Sequence, residues 1–347
     1  MNVIIECVPN FSEGRDMSVM KQITDSIASV EGVKLLHVDP GEAANRTVVT
    51  FAGSPDEVVE AAFRGAAKAA EVIDMRKHHG THPRIGATDV LPLIPVAGIT
   101  LEECAELARQ LAGRMAAELG IPCYCYEAAA YREEYRNLAV CRRGEYEALH
   151  EKLTTPALQP DKMPADLSRA ERTGCSVVGA RDFLIAVNFN LDSTSTRIAS
   201  AIACDVREKG RPLREDGKPK TDAQGDIIMQ PGTLKSTKAI GWYIDEYGIA
   251  QVSMNLTNLH VTSLHAAYEE VCRCARNRGV RVTGTEIIGL VPKQSLIDAG
   301  RYFLEKQNRP VDIPEADIIQ VAVESMGLDD LKPFHPREKV IEYLLEG

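Results

Sequence analysis

Two hydrophobic periods alternate along this chain. Residues 3–8, "VIIECV", are apolar and β-branched and predict a buried strand. Between residues 12 and 30, Met17, Met20, Ile23, Ile27 and Val30 recur at three- and four-residue steps, which predicts a helix with one apolar face. Residues 33–38 and 46–52 predict strands, with the turn chemistry of "DPGEAANR" between them. Ser54-Pro55-Asp56-Glu57 has the serine, proline and acidic residue of a helix start, and that helix runs to about residue 73. Residues 89–95, "DVLPLIP", predict a strand that Pro92 assigns to a sheet edge or a bulge. The order is β-α-β-β-α-β, the split βαβ of a ferredoxin-like subdomain. A helix over 100–119, capped by Thr100 with Glu103 three residues on, and a strand over 122–126 extend it.

The second half repeats the order. Strand 182–189, helix 194–207, a hairpin of 239–244 with 249–254 across "DEYG", helix 262–277 and strand 280–290 again spell β-α-β-β-α-β. Residues 153–174 are rich in Pro, Asp, Thr and Ser without periodicity and read as a linker, and 208–232 reads as an exposed loop or flexible hairpin. Helical patterns over 295–307, 315–326 and 336–345 predict an extension packed over the second sheet. The expectation is an α+β protein of two ferredoxin-like subdomains with mixed or antiparallel sheets and a C-terminal helical extension. The predicted divisions are 1–164, a linker at 165–180, 181–293, and 294–347.

Composition narrows the classes. At 347 residues the chain is long enough for two domains, and 44% apolar with 26% charged residues is ordinary for a globular protein with a sizeable core. No apolar run approaches the roughly 18 residues of a membrane span. "MNVIIECVPNFSEG" lacks the basic start and long apolar stretch of a secretory signal, so a cytoplasmic location is expected. A net charge of −10 without a basic, aromatic-studded stripe argues against nucleic acid as the main partner. Nine scattered cysteines, with C-x-C pairs at Cys123/Cys125 and Cys272/Cys274, read as buried reduced thiols.

One loop departs from this plain picture. "MRKHHGTHPRIGATDVL" gathers three of the eight histidines with Arg76, Lys77 and Arg84. Its His78–His82 spacing suits a metal site on a helix, but Gly80 and Pro83 oppose a continuous helix and no cysteine lies nearby. A solvated surface loop is the second reading. General acid–base catalysis is the third, because imidazole titrates near neutrality. Glycines at 80 and 86 would let backbone approach a ligand, and Arg76, Lys77 and Arg84 would hold carboxylates. On this reading His82 is the best placed of the three.

"ECVPNFSEGRD", "NRTVVTFAGSPDEVVEAA", "HHGTHPRIGATDVLPLIPV", "GAR" followed by "FLIAVNFNL", "GWYIDEYGIAQVSMNL" and "GLVP", with the terminal "GLDDLKPFHPREKVIEYL", resemble glutamate formimidoyltransferase over nearly the whole chain. The resemblance implies transfer of the formimidoyl group of N-formimidoyl-L-glutamate to N5 of tetrahydrofolate, in histidine degradation. It also implies two α/β subdomains, a homodimer, no metal, and a separate cyclodeaminase acting on the product. The family's acid–base histidine falls on His82.

A formimidoyl group is cationic at neutral pH, so a carboxylate should face it: Asp39 in the "VDPG" turn first, Asp89 second. Arg46 and Arg84 are candidates for substrate carboxylates, Gly80 for close backbone approach, and Asn188 and Asn190 for substrate-facing groups on one strand face. The family's folate segment falls on Ala165, Asp166, Leu167, Ser168, Arg169, Ala170, Glu171, Arg172, Thr173 and Gly174, with Arg169 and Arg172 suited to the glutamyl tail. Two rivals are a formyl transferase using N-formyl-L-glutamate, for which Asp39 would be dispensable, and a folate-binding protein without catalysis. A third, a metallohydrolase built on the histidine cluster, would carry bound metal.

Overall fold

A computed structural model describes residues 3–222 and 224–346, and the chain divides into two compact units, Met1–Asp182 and Phe183–Gly347. In the first, strands β1 (Ile4–Cys7), β2 (Asn10–Phe11), β3 (Lys34–Gly41), β4 (Arg46–Gly53) and β5 (Thr88–Ala97) join helices α1 (Met17–Ala28) and α2 (Pro55–Val72). β4 lies between β3 and β1, and β1 pairs with β5, all antiparallel. This is the ferredoxin-like order. Helix α3 (Leu101–Leu119), strand β6 (Cys123–Glu127) and strand β7 (Ser176–Ala180) extend the sheet, with β7 parallel to both β5 and β6.

The two sequence-predicted capping boxes are present: Ser54 with Glu57 opens α2, and Thr100 with Glu103 opens α3. Other starts differ. The first helix begins at Met17 rather than near Ser12, because Asp16 caps it by accepting from Ser18 N–H at 2.9 Å, while Asn10–Phe11 stays extended. Pro92 is not on an edge strand, since β5 has β1 and β2 on one side and β7 on the other. The Pro92 carbonyl accepts from Val8 N–H at 3.3 Å, so its missing N–H falls on the same side, at the gap between β1 and β2. Within the stretch expected as a linker, residues 176–180 form β7, a central strand, and the first unit continues to Asp182.

One face of the first sheet carries Ile5, Cys7, Phe11, Val49, Phe51, Leu91, Leu93, Cys123 and Cys125, which pack against α1, α2 and α3. On the opposite face, Val90, Tyr124, Tyr126 and Val177 are covered by Tyr135, Cys141 and Leu149. Those residues come from a 3-10 turn (Glu133–Arg136) and the short helices α4 (Leu138–Cys141) and α5 (Leu149–Thr154). Helix α6 (Ala170–Thr173) then leads into β7. All nine cysteines are unbridged, and eight are buried.

The second unit repeats the order with strands β8 (Ile185–Leu191), β13 (Thr237–Ile244), β14 (Ile249–Leu256) and β15 (Val282–Ile288), and helices α7 (Thr196–Val206) and α8 (Leu264–Arg276). The sheet reads β13-β14-β8-β15, fully antiparallel. The expected loop at 208–232 holds two small ribbons, β9 (Arg211–Pro212) with β12 (Met229–Gln230) and β10 (Arg214–Glu215) with β11 (Lys218–Pro219). Helices α9 (Lys293–Lys306) and α10 (Glu315–Met326) add Leu296, Phe303, Ile318 and Met326 to the core of this sheet. The last predicted helix is two pieces, α11 (Pro336–Lys339) and α12 (Ile341–Glu346), because Val340 between them bridges to Val291.

Candidate active site

The histidine loop runs from a 3-10 turn (Met75–Lys77) to β5, and its three imidazoles go to different places. His78 is buried: its Nε2 lies 2.7 Å from the Asn45 carbonyl oxygen, and its Nδ1 accepts from Arg84 Nε at 3.3 Å. Burial lowers its pKa, so it is a neutral spacer with both nitrogens used. His79 is exposed, and its carbonyl accepts from Asn45 Nδ2 at 3.0 Å. Among the described residues no three histidine, cysteine, aspartate or glutamate side chains are grouped so as to hold a metal ion. Gly80 meets backbone of its own chain. A Cβ there would collide with the Ala44 carbonyl oxygen, so the residue lets the loop lie against the β3–β4 turn. Gly86 and Gly174 bridge to each other, Gly174 at φ +67°; a Cβ on Gly86 would collide with the Cys175 carbonyl oxygen and one on Gly174 with the Ile85 carbonyl oxygen.

His82 is half-buried, and its Nδ1 lies 2.7 Å from the Pro83 carbonyl oxygen. That makes Nδ1–H the donor and puts the basic lone pair on Nε2. Burial, then the guanidiniums of Arg46 and Arg142, push its pKa down to about 3 against the opposing pull of Asp89. The imidazole is held neutral beside a surplus of positive charge.

That surplus is a three-residue ion cluster. The register shift between Asn10 and Phe11 on β2 leaves Asp89 as the extra residue of a β-bulge on β5. Its carboxylate, fully buried, takes both the Arg46 and the Arg142 guanidinium on Oδ2, and Ile85 N–H at 2.8 Å on Oδ1. These cations hold its pKa down at about 2 despite burial. Arg46, 8% exposed, also donates from Nε to Asn10 Oδ1 at 3.1 Å, and burial lowers its pKa to about 10. Asp89 is thus committed to arginines, which removes it as the second candidate partner for an amidinium.

Arg84 is committed as well, in ion pairs with Glu145 at 3.0 Å and Glu147 at 2.7 Å. Asp39 stands on β3 opposite Val48, while Gly41 stands opposite Arg46. The register therefore puts Asp39, Arg46 and Asn10 on one face of the sheet. Arg142, the residue after α4, was missed from sequence: it lies 53 positions from Asp89, and "CRRG" carries no local sign of that contact.

In the segment 165–174, Asp166 accepts from Ser168 N–H at 2.9 Å. The two arginines are turned toward helix ends. Arg169 Nη1 donates to the Leu119 carbonyl at the end of α3 at 3.3 Å. Arg172 Nη2 donates to the Glu71 carbonyl near the end of α2 at 2.6 Å. Cations at helix C-termini are a stabilising arrangement in their own right.

In the second unit Asn188 and Asn190 do share the sheet face away from the helices, and both sit in a polar network. Asn188 donates to Glu286 Oε2 at 3.0 Å, Asn190 to Asp330 Oδ2 at 3.0 Å, and Gln251 to Asn190 Oδ1 at 2.8 Å. Trp242 Nε1 donates to Gln251 at 3.0 Å and the Tyr247 hydroxyl to Glu286 Oε1 at 3.2 Å. Gly284 faces Asn190, and its missing Cβ is what admits the Asp330 side chain. No sequence pattern pointed to Glu286 or Asp330.

Comparison with known proteins finds two family models in series: the formiminotransferase domain N-terminal subdomain over residues 4–181, and the formiminotransferase domain over 186–346. The chain is 45% identical to the formimidoyltransferase-cyclodeaminase of Sus scrofa over 345 residues, covering 99% of this chain and 60% of that protein. It is 41% identical to the glutamate formimidoyltransferase of Thermoplasma acidophilum over 304 residues, covering 87% of this chain and 92% of that one. With the glutamate formimidoyltransferase of Streptococcus pyogenes serotype M1 the identity is 40%, over 89% and 95%. The chain thus spans about three-fifths of the length of the cyclodeaminase-bearing relatives.

Proposed function

The chain belongs to the formiminotransferase family, and from that premise we propose that it moves the formimidoyl group of N-formimidoyl-L-glutamate to N5 of tetrahydrofolate, with His82 as acid and base. The observation that carries the assignment of His82 is its setting: an imidazole with a defined tautomer, kept neutral at the rim of a buried cation cluster. The unprotonated imidazole is the form that can take a proton from N5.

The chemistry follows from the groups. N5 of the folate attacks the amidinium carbon, forming a C–N bond and a tetrahedral centre. The attacking nitrogen sheds a proton to Nε2 of His82. The imidazolium returns that proton to the glutamate nitrogen, the bond from that nitrogen to the carbon breaks, and glutamate leaves as an amine. Asp39, on the same sheet face as Arg46, is the carboxylate proposed to face the amidinium. One shuttling group of this kind is worth about 10²–10⁴-fold, with proximity of the two substrates supplying much of the rest. The proposal extends to a homodimer, a cytoplasmic location and a cyclodeaminase activity that takes the product, as the names of the longer relatives pair the two. The segment 165–174 is proposed to contact folate through its loop rather than through Arg169 and Arg172, which serve helix ends.

The test is turnover of the purified chain with both substrates, followed by folate absorbance. His82→Gln should lower kcat by about 10²–10⁴-fold while both KM values stay within a few-fold. No turnover by the wild type would overturn the activity, and an undiminished His82→Gln would overturn the acid–base role.

A further inference from the structure

We propose that Arg142, with Arg46, forms the subsite for the donor's α-carboxylate and thereby seats the transferable carbon beside His82. The inference rests on the formimidoyl-transfer reading and adds to it a residue and a chemical group.

Three observations carry it. First, the cluster is unbalanced: two guanidiniums share the single charge of one carboxylate, whose other oxygen also holds Ile85 N–H. Arg84, by contrast, has two carboxylates of its own. Second, the Arg142 side chain is only 12% exposed, yet its buried Nε has no hydrogen-bond partner among the described residues. A buried cationic donor without an acceptor is costly unless a ligand supplies one, and a carboxylate is the group that matches a guanidinium edge. Third, covalent geometry selects which carboxylate. In an N-substituted glutamate the α-carboxylate hangs on the carbon that bears the reacting nitrogen. The carboxylates of a folate lie beyond its aminobenzoyl ring, remote from N5. A cation site that shares its field with the acid–base residue therefore suits the donor.

A carboxylate bound there would also offset the positive charge that adds to burial in disfavouring protonation of His82. The imidazole would then accept its proton more readily once the donor is seated.

The experiment uses unreactive ligands. N-acetyl-L-glutamate and its α-carboxamide are titrated calorimetrically into the wild type, Arg142→Gln and Arg142→Lys, with circular dichroism confirming that each is folded. The wild type should bind the acid at least tenfold more tightly than the amide. Arg142→Gln should erase that preference, weakening the acid and leaving the amide unchanged, and Arg142→Lys should restore part of it. In turnover, the donor KM should rise tenfold or more in Arg142→Gln with the tetrahydrofolate KM within threefold. Equal affinity of wild type for acid and amide, or equal weakening of both by Arg142→Gln, would overturn the subsite. The wild-type comparison decides the matter even if Arg142→Gln does not fold. If the wild type turns over while donor binding ignores Arg142, the subsite falls and the transferase stands. If the wild type discriminates the ligands through Arg142 but transfers nothing, the reverse holds.

Discussion

Replacing Asp89 by Asn removes one negative charge and almost no volume. The amide oxygen can still accept from Ile85 N–H, so the loop geometry at residues 85–89 keeps its closing hydrogen bond. What is lost is the counter-charge of two guanidiniums whose side chains are 8% and 12% exposed. Breaking a buried ion pair from one side costs about 3–5 kcal/mol, because the remaining charge stays desolvated. For a unit of this size, 1 kcal/mol moves the midpoint by roughly 2–4 °C, so Asp89→Asn should lower the melting temperature by about 6–20 °C. Far-ultraviolet circular dichroism follows this, read beside the fluorescence of Trp242, the single tryptophan, which sits in the second unit and reports that unit. Adding Arg142→Gln to Asp89→Asn should recover part of the loss by removing one of the stranded cations. A midpoint shift under about 2 °C, or a double variant weaker than the single one by the full sum, would show that the cluster is not an interdependent buried unit.

The remaining expectations are more local. Asp39→Asn should raise the KM for formimidoylglutamate by about tenfold or more and leave that for tetrahydrofolate nearly unchanged; equal effects on both would end its role as the amidinium partner. Gly80→Ala should displace the loop from the Ala44 carbonyl and lower kcat more than melting temperature, measured on the same preparation. In the pH dependence of stability, His82 is held well below its unfolded value, so the unfolded chain binds the extra proton as pH falls. Stability should therefore drop from about pH 6.5 downward. His82→Asn should flatten that slope between pH 6.5 and 4, a window in which Asp89 stays ionised and the contribution of His78 is common to both proteins. An unchanged slope would mean that position 82 does not resist protonation.

What could be read from sequence was what neighbours in sequence decide. The caps at Ser54 and Thr100 need partners three residues away, and both appear in the fold. The alternation of Asn188 and Asn190 placed them on one strand face, which the strand pairing repeats. The β-α-β-β-α-β order of each half followed from periodicity alone. The failures are long-range. Residues 176–180 looked like the tail of a polar linker, because nothing within that stretch tells that β5 and β6 leave a slot between them. Asp89 looked available for a cation of the substrate, since its two arginines arrive from 43 residues before it and 53 after. Glu286 and Asp330 reach Asn188 and Asn190 across 98 and 140 positions.

Strand β7 sits between β5 and β6 in the first sheet, although it is made some fifty residues after β6. During synthesis the apolar edges of β5 and β6 must wait for it. At ordinary translation speeds that interval is on the order of 3–10 s. The loop bearing His82 is laced to residues 173–175 through Ala87 N–H to the Thr173 carbonyl and Cys175 N–H to the Ile85 carbonyl. The nascent chain consequently carries His82 long before residues 173–175 are there to pin its loop in place.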